Sequence, residues 1–200
     1  MMDIGIRKLT PDLAEDYVRF FDATPHDDGT DETKCYCVCW CNDDCEGKDF
    51  SSAEKRRELA FQYVRENILQ GYLAYCGDKI VGWCNANTKA DCLKCGGWRW
   101  FMGDMPAEEP DIGKKIKSIY CFVIAPEMKR KGVATQLTER VCEDAKQDGF
   151  DFIEAYPNKE HSGTDFGGPD FKGPLEIYKR SGFEVYSETV KGLVVRKRLQ

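Results

Sequence analysis

Apolar positions recur along the chain with a period that switches between two and about 3.6, and each switch marks an element. Asp3 to Leu9 alternates through Ile4 and Ile6 as a short strand, and Thr10-Pro11 then offers an N-cap and a first-turn proline for a helix reaching about Ala23. From Thr24 to Phe50 the pattern gives way to Asp, Gly, Asn and Cys, which predicts an irregular, cysteine-rich loop at about 26–50 with at most one short extended piece. Ser51-Ser52-Ala53-Glu54 reads as a capping box, and Leu59, Ala60, Tyr63, Val64 and Ile68 repeat at helical spacing until Gly71. Two apolar runs, Tyr72 to Cys76 and Lys79 to Ala86, flank Gly77-Asp78 and predict an antiparallel hairpin. Asn87 to Lys115, rich in Gly, Pro and acids, predicts a long loop.

Ile116 to Pro126 is nearly continuously apolar, so the spacing predicts a central strand buried on both faces and ended by Pro126. A helix beginning near Gly132 carries Ala134, Leu137, Val141 and Ala145 on one stripe, sets Arg140 and Asp144 at i, i+4 on the outside and closes at Gly149. Phe150 to Tyr156 returns as a strand, which makes a parallel crossover unit. Pro174 to Gly182 predicts a short helix and Phe183 to Leu199 a closing hairpin. These elements compose one mixed α/β (α+β) domain over residues 1–200, a central sheet with flanking helices.

Composition narrows the function classes. Net charge is −6, from 29 bases and 35 acids, without a long basic tract, so nucleic acid and anionic membrane are not expected partners. The first residues lack an apolar signal-peptide core and no run of eighteen apolar residues occurs, so the expectation is a cytoplasmic protein, monomer or homodimer. Eleven cysteines are an odd number and read first as thiols. Cys92 and Cys95 have the spacing of a zinc knuckle, but Cys35, Cys37, Cys39 and Cys41 have C-x-C spacing, which does not. If extended, that stretch sets four thiols on one face and Tyr36, Val38 and Trp40 on the other; no metal is expected. Trp98, Trp100 and Phe101, in the stretch Gly96 to Asp111, could wall or cover an acceptor site for an ammonium, or merely cover the core edge.

The basic turn Lys129-Arg130-Lys131 stands directly before Gly132 and the amphipathic helix. Helix N-termini leave amides without intrahelical partners and carry partial positive charge, so the mouth at Gly132 suits a phosphate. It lacks the spaced glycines of a dinucleotide turn and the ending of a Walker loop.

"IYCFVIAPEMKRKGVATQL" resembles the acetyl-CoA-binding motif of the GNAT acetyltransferase superfamily, in which a central strand leads through a proline turn into a Gln/Arg-x-x-Gly-x-Gly/Ala loop. Here that loop is Lys129-Arg130-Lys131-Gly132-Val133-Ala134, with Lys129 in place of the usual Gln or Arg. The resemblance, from Asp3 to Leu199, implies an N-acetyltransferase that moves an acetyl group from acetyl-CoA to a primary amine of a small molecule or peptide by direct attack. It further implies that the amides of Arg130 to Thr135 hold the pyrophosphate, while Phe122, Val123 and Ile124 pair with the pantetheine arm. The Val123 amide would polarise the thioester carbonyl. "LEIYKRSGF" resembles the family's L-Y-x-x-x-G-F segment and implies that Tyr178 protonates the departing thiolate; the Asn often found seven residues earlier is Phe171 here. Glu154 lies where some members hold a general base, and strand parity puts it on one face with Phe152 and Tyr156. Small members with a similar Cys-x-Cys stretch need no metal. The rival expectation is a noncatalytic acyl-CoA-binding or cysteine-rich zinc-binding module on the same fold.

Overall fold

The computed structural model describes residues 3–24, 31–41, 50–102, 113–158, 171–189 and 192–200. Cys45, both histidines, residues 103–111 of the expected acceptor wall and the loop residues Asp165 to Asp170 lie outside the described residues. Seven strands form one sheet in the order β1 (Gly5–Lys8), β2 (Gly71–Cys76), β3 (Lys79–Thr88), β4 (Ile116–Ile124), β5 (Phe152–Ala155), β7 (Leu193–Arg198), β6 (Glu184–Glu188). β4 is thus the middle strand, buried from Ile116 to Phe122, as its unbroken apolar run requires. Among the described residues only the β4–β5 pair is parallel.

The helices divide between the two faces. α1 (Ala14–Ala23) and α2 (Ala53–Arg65) pack on one core with Trp83, Tyr120 and Tyr156. α5 (Val133–Gln147) and α6 (Leu175–Arg180) pack on the other with Phe122, Ile153 and Val195. Leu137 and Val141, on the inward stripe of α5, are fully buried, each stabilising the fold by about 1.5–3 kcal/mol. Arg140 and Asp144 do pair at 2.7 Å, yet Arg140 also donates to the Ile6 carbonyl at 2.9 Å, so this pair joins α5 to β1 instead of standing in solvent.

Several local expectations shift. Pro11 opens a 3-10 turn, Pro11–Leu13, and Thr10 makes no side-chain cap. Ser52, one residue later than the capping box supposes, caps α2 by accepting from the Lys55 amide at 3.3 Å. α2 ends at Arg65 and leaves Ile68 exposed. The stretch after β3 is not a plain loop: it holds α3 (Lys89–Cys92) and α4 (Gly96–Phe101).

The cysteine stretch is not extended. Tyr36 and Cys37 adopt left-handed φ of 46° and 54° and lead into a 3-10 turn, Val38–Trp40, so Tyr36 to Trp40 are all buried with no alternation of faces. Arg56 of α2 ties down the flanking segments by donating to the carbonyls of Glu32 and Lys34 before the turn and of Phe50 after it. Tyr17 adds a bond to the Tyr36 carbonyl at 2.8 Å.

Candidate active site

Two irregularities of β4 build the site. The β3–β4 register passes from Asn85↔Cys121 to Ala86↔Ile119, so Tyr120 is an extra residue, a β-bulge. In consequence Tyr120 and Cys121 both face the α1 side, while Ile119 and Phe122 face α5. One step from the bulge, the β4–β5 pairing stops at Ile119↔Ala155. Beyond it the chain from Tyr156 follows β7, through Leu193 N to Pro157 O at 2.9 Å and a bridge between Asn158 and Gly192. β4 continues beside β3 to Ile124, and the sheet parts between them.

At the end of that parting sits the basic turn. Pro126–Met128 is a 3-10 turn, and Lys129, Arg130, Lys131 and Gly132 are exposed beyond it. Arg130 has φ 63° and Gly132, the N-cap of α5, φ 84°. No side chain caps the helix, and its first bond is Gln136 N to Gly132 O at 3.0 Å, so the amides of Val133, Ala134 and Thr135 lie before the helical ladder. Not every expected amide belongs to this set. Lys131 N donates to Met128 O and Lys129 N to Pro126 O, each at 3.3 Å, so those two serve the turn.

The Val123 assignment is corrected by parity. Ala125 N donates to Val81 O, and two residues earlier the same ladder turns the Val123 amide toward its partner Trp83, away from the parted edge. Phe122 points the other way: its amide meets the Phe171 carbonyl at 2.7 Å. The backbone of Ile124 shares that direction.

Glu154 does lie on one face with Tyr156, as parity predicts, but not as an accessible base. It is fully buried; Oε1 accepts from Arg196 Nε at 2.7 Å, and Oε2 meets Lys89 Nζ at 3.1 Å and Tyr156 OH at 3.0 Å. Tyr156 OH also lies 2.9 Å from Ser118 Oγ, and burial first, then Glu154, pushes its phenol well above the ordinary range. A carboxylate enclosed by two cations and a phenol has no face left for an acceptor amine. Sequence reasoning missed Lys89 and Arg196, which stand on different elements; an apolar-facing cation in each was the only signal.

Tyr178 is fully buried in α6, between the rings of Phe122 (6.4 Å) and Phe183 (5.4 Å), and its hydroxyl donates to the Lys172 carbonyl. The proton assigned to a departing thiolate is therefore held here by the chain itself.

Aromatic rings floor the α1 side of the parting. Tyr120 stacks on Trp40 at 4.4 Å and on Tyr156 at 5.6 Å, with Trp98 edge-on to both tyrosines. Trp40, Trp98, Tyr120 and Tyr156 are buried, whereas Trp100 and Phe101 are exposed. The described cysteines are free thiols. Cys37 Sγ lies 3.8 Å from Cys121 Sγ and accepts from Trp83 Nε1 at 3.3 Å; burial pushes the Cys41 thiol well up. Among the described residues no group of three or more His, Cys, Asp or Glu side chains could hold a metal ion, and no helix is long and apolar enough to cross a membrane.

The fold is thus a mixed sheet that parts beside its middle strand, with an uncapped helix mouth at the end of the parting. Residues 12–162 match the profile of the Acetyltransferase (GNAT) family, and the chain belongs to that family. Solved structures agree in fold. The PaiA N-acetyltransferase of Thermoplasma acidophilum, in complex with coenzyme A, superposes with a TM-score of 0.52 at 13% identity over 98% of this chain and 99% of its own. YncA of Salmonella typhimurium, solved with acetyl-CoA, gives 0.53 at 12% identity over 98% and 94%. An N-acetyltransferase of Staphylococcus aureus Mu50 gives 0.53 at 10% identity over 99% of both. No curated protein matches the chain.

Proposed function

We propose that this chain is an N-acetyltransferase that moves an acetyl group from acetyl-CoA to a primary amine of a small molecule or peptide, by direct attack within a ternary complex. The observation that carries the reading is the continuity of the parted β4 edge with the mouth of α5. An extended arm can add to that edge by backbone pairing, with its diphosphate on the amides of Arg130, Gly132, Val133, Ala134 and Thr135. Lys129, Arg130 and Lys131 offset the phosphate charge. Phe122 and Ile124 supply the edge, and Val123 contributes through its side chain.

In the transfer, the nitrogen of a neutral amine forms the C–N bond as the C–S bond breaks, Tyr178 gives its hydroxyl proton to the sulfur, and the proton shed by the nitrogen leaves to solvent, from which the tyrosinate regains its own. A phenol suits this role because it keeps its proton at neutral pH until thiolate charge develops. Glu154 is not the base in this reading. Calorimetry with coenzyme A tests the first half, and coenzyme thiol release across a panel of amines the second. Coenzyme A without effect at millimolar concentration would remove the whole reading. Binding without turnover on any amine would favour the noncatalytic acyl-CoA module. With an acceptor in hand, Tyr178→Phe should lower kcat by about 100-fold or more, since a positioned acid contributes at least that.

A further inference from the structure

The edge of β4 that a pantetheine arm would use carries a piece of the chain. Phe171 O accepts from Phe122 N at 2.7 Å, a strand-like bond on the side where β5 has left. Gly173, at φ 79°, lies so close to Phe122 that a Cβ there would meet its ring at 3.1 Å. Lys172 spans the same place, its carbonyl accepting from Tyr178 OH and its ammonium donating to Phe101 O at 3.0 Å. The Phe171 ring meets Phe101 edge-on at 5.3 Å. Residues 171–173 are thus fastened to β4, α4 and α6 at once.

We infer that residues 171–173 form a strap that takes the place of the pantetheine arm in the free protein, and that coenzyme binding displaces it. The inference rests on the acetyl-CoA reading above. Displacement has two chemical results. The Phe122 amide, which points into the parting, is released to donate to the thioester carbonyl, the role that Val123 cannot fill because its amide faces Trp83. The Tyr178 hydroxyl loses the Lys172 carbonyl and gains the sulfur as its acceptor. The acid is therefore armed only when the coenzyme is seated, which keeps the proton from a site without a leaving group. Gly173 suits the moving part, because its left-handed conformation needs no side chain and it sits at the junction with Pro174 and α6. A strap that must be displaced lowers apparent affinity by the fraction of molecules in which it is open, so loosening it should tighten coenzyme binding.

The test compares two ligands on intact protein. 3′,5′-ADP carries a phosphate portion without a pantetheine arm, whereas coenzyme A has both. Lys172→Met cuts the tether to Phe101 O, and Phe171→Ala removes the ring contact. Each should lower the calorimetric Kd for coenzyme A by about threefold or more while leaving that for 3′,5′-ADP within about twofold. On the unaltered protein, the Phe122 amide signal in a nitrogen–proton NMR spectrum should move with coenzyme A and stay in place with 3′,5′-ADP, a readout independent of whether either variant folds. Coenzyme A that binds both variants no better than wild type, or that leaves the Phe122 amide unmoved at saturation, overturns the strap while the acetyl-CoA reading stands. Failure of both ligands to bind removes that reading, and the strap with it.

Discussion

Replacing Glu154 by Gln separates a buried anchor from a catalytic base. Glutamine keeps an acceptor for Tyr156 but removes a charge that faces both Lys89 and Arg196, whose side chains are each 8% exposed around a fully buried carboxylate. At an effective dielectric of about 20, a charge pair near 3 Å attracts by roughly 5 kcal/mol, most of it offset by desolvation when the pair is intact. Loss of the anion removes the carboxylate that both buried cations meet, and taking one partner out of a buried ion pair costs about 3–5 kcal/mol. That is about a fifth or more of a typical 5–15 kcal/mol total stability, and a fall in Tm of roughly 6–20 °C for a chain of this size. Urea unfolding followed by tryptophan fluorescence should show the midpoint drop. Adding Lys89→Met and Arg196→Met should recover part of it, because the charges then no longer face one another. A Gln variant within about 1 kcal/mol of wild type that nevertheless loses 100-fold in rate would refute the reasoning and return Glu154 to the role of base.

Two further outcomes follow from the same geometry. Gly132→Ala meets no atom within 4 Å, so its cost is the left-handed backbone alone, about 1–2 kcal/mol; if the α5 mouth relaxes to avoid it, coenzyme A should bind at least about tenfold more weakly by calorimetry. Lys117 is buried on β4, and burial, helped by Lys8, lowers its pKa to about 8. Below that pH both folded and unfolded states hold the ammonium and the burial cost is felt in full, whereas between about 8 and 10.4 only the unfolded state binds the proton and stability rises. Lys117→Met should therefore stabilise the protein by up to about 3 kcal/mol at pH 7 and by less at pH 10, measured by denaturant unfolding at each pH.

The parts of the fold that sequence predicts best are those with one period and a punctuating residue. α5 has an inward stripe and Gly132 before it, and β4 has an apolar run closed by Pro126, so the mouth of the site is legible without coordinates. The bulge at Tyr120 is not, because on a strand buried on both faces an extra residue leaves no break in the apolar pattern. The turn at Tyr36 and Cys37 is equally hidden: neither residue type announces a left-handed backbone, and a bond that reaches it comes from another element, Tyr17 of α1. α4 begins with two glycines, which argue against a helix, yet Gly97 is needed since a Cβ there would press on the Trp40 ring at 2.6 Å. Parity locates Glu154 but not its role, because its partners Lys89 and Arg196 come from α3 and β7, on either side of it in the chain, and share no local pattern with it.

The extra residue at Tyr120 also fixes how this strand can be edited. Excising it would restore strict alternation along β4 and leave Cys121 and Val123 on the α1 side and Phe122 and Ile124 on the α5 side. Such a deletion spares every later side chain and amide of the strand and removes one thing, the ring stacked between Trp40 and Tyr156, so the surplus amino acid is a way of adding an aromatic to one face without disturbing the other.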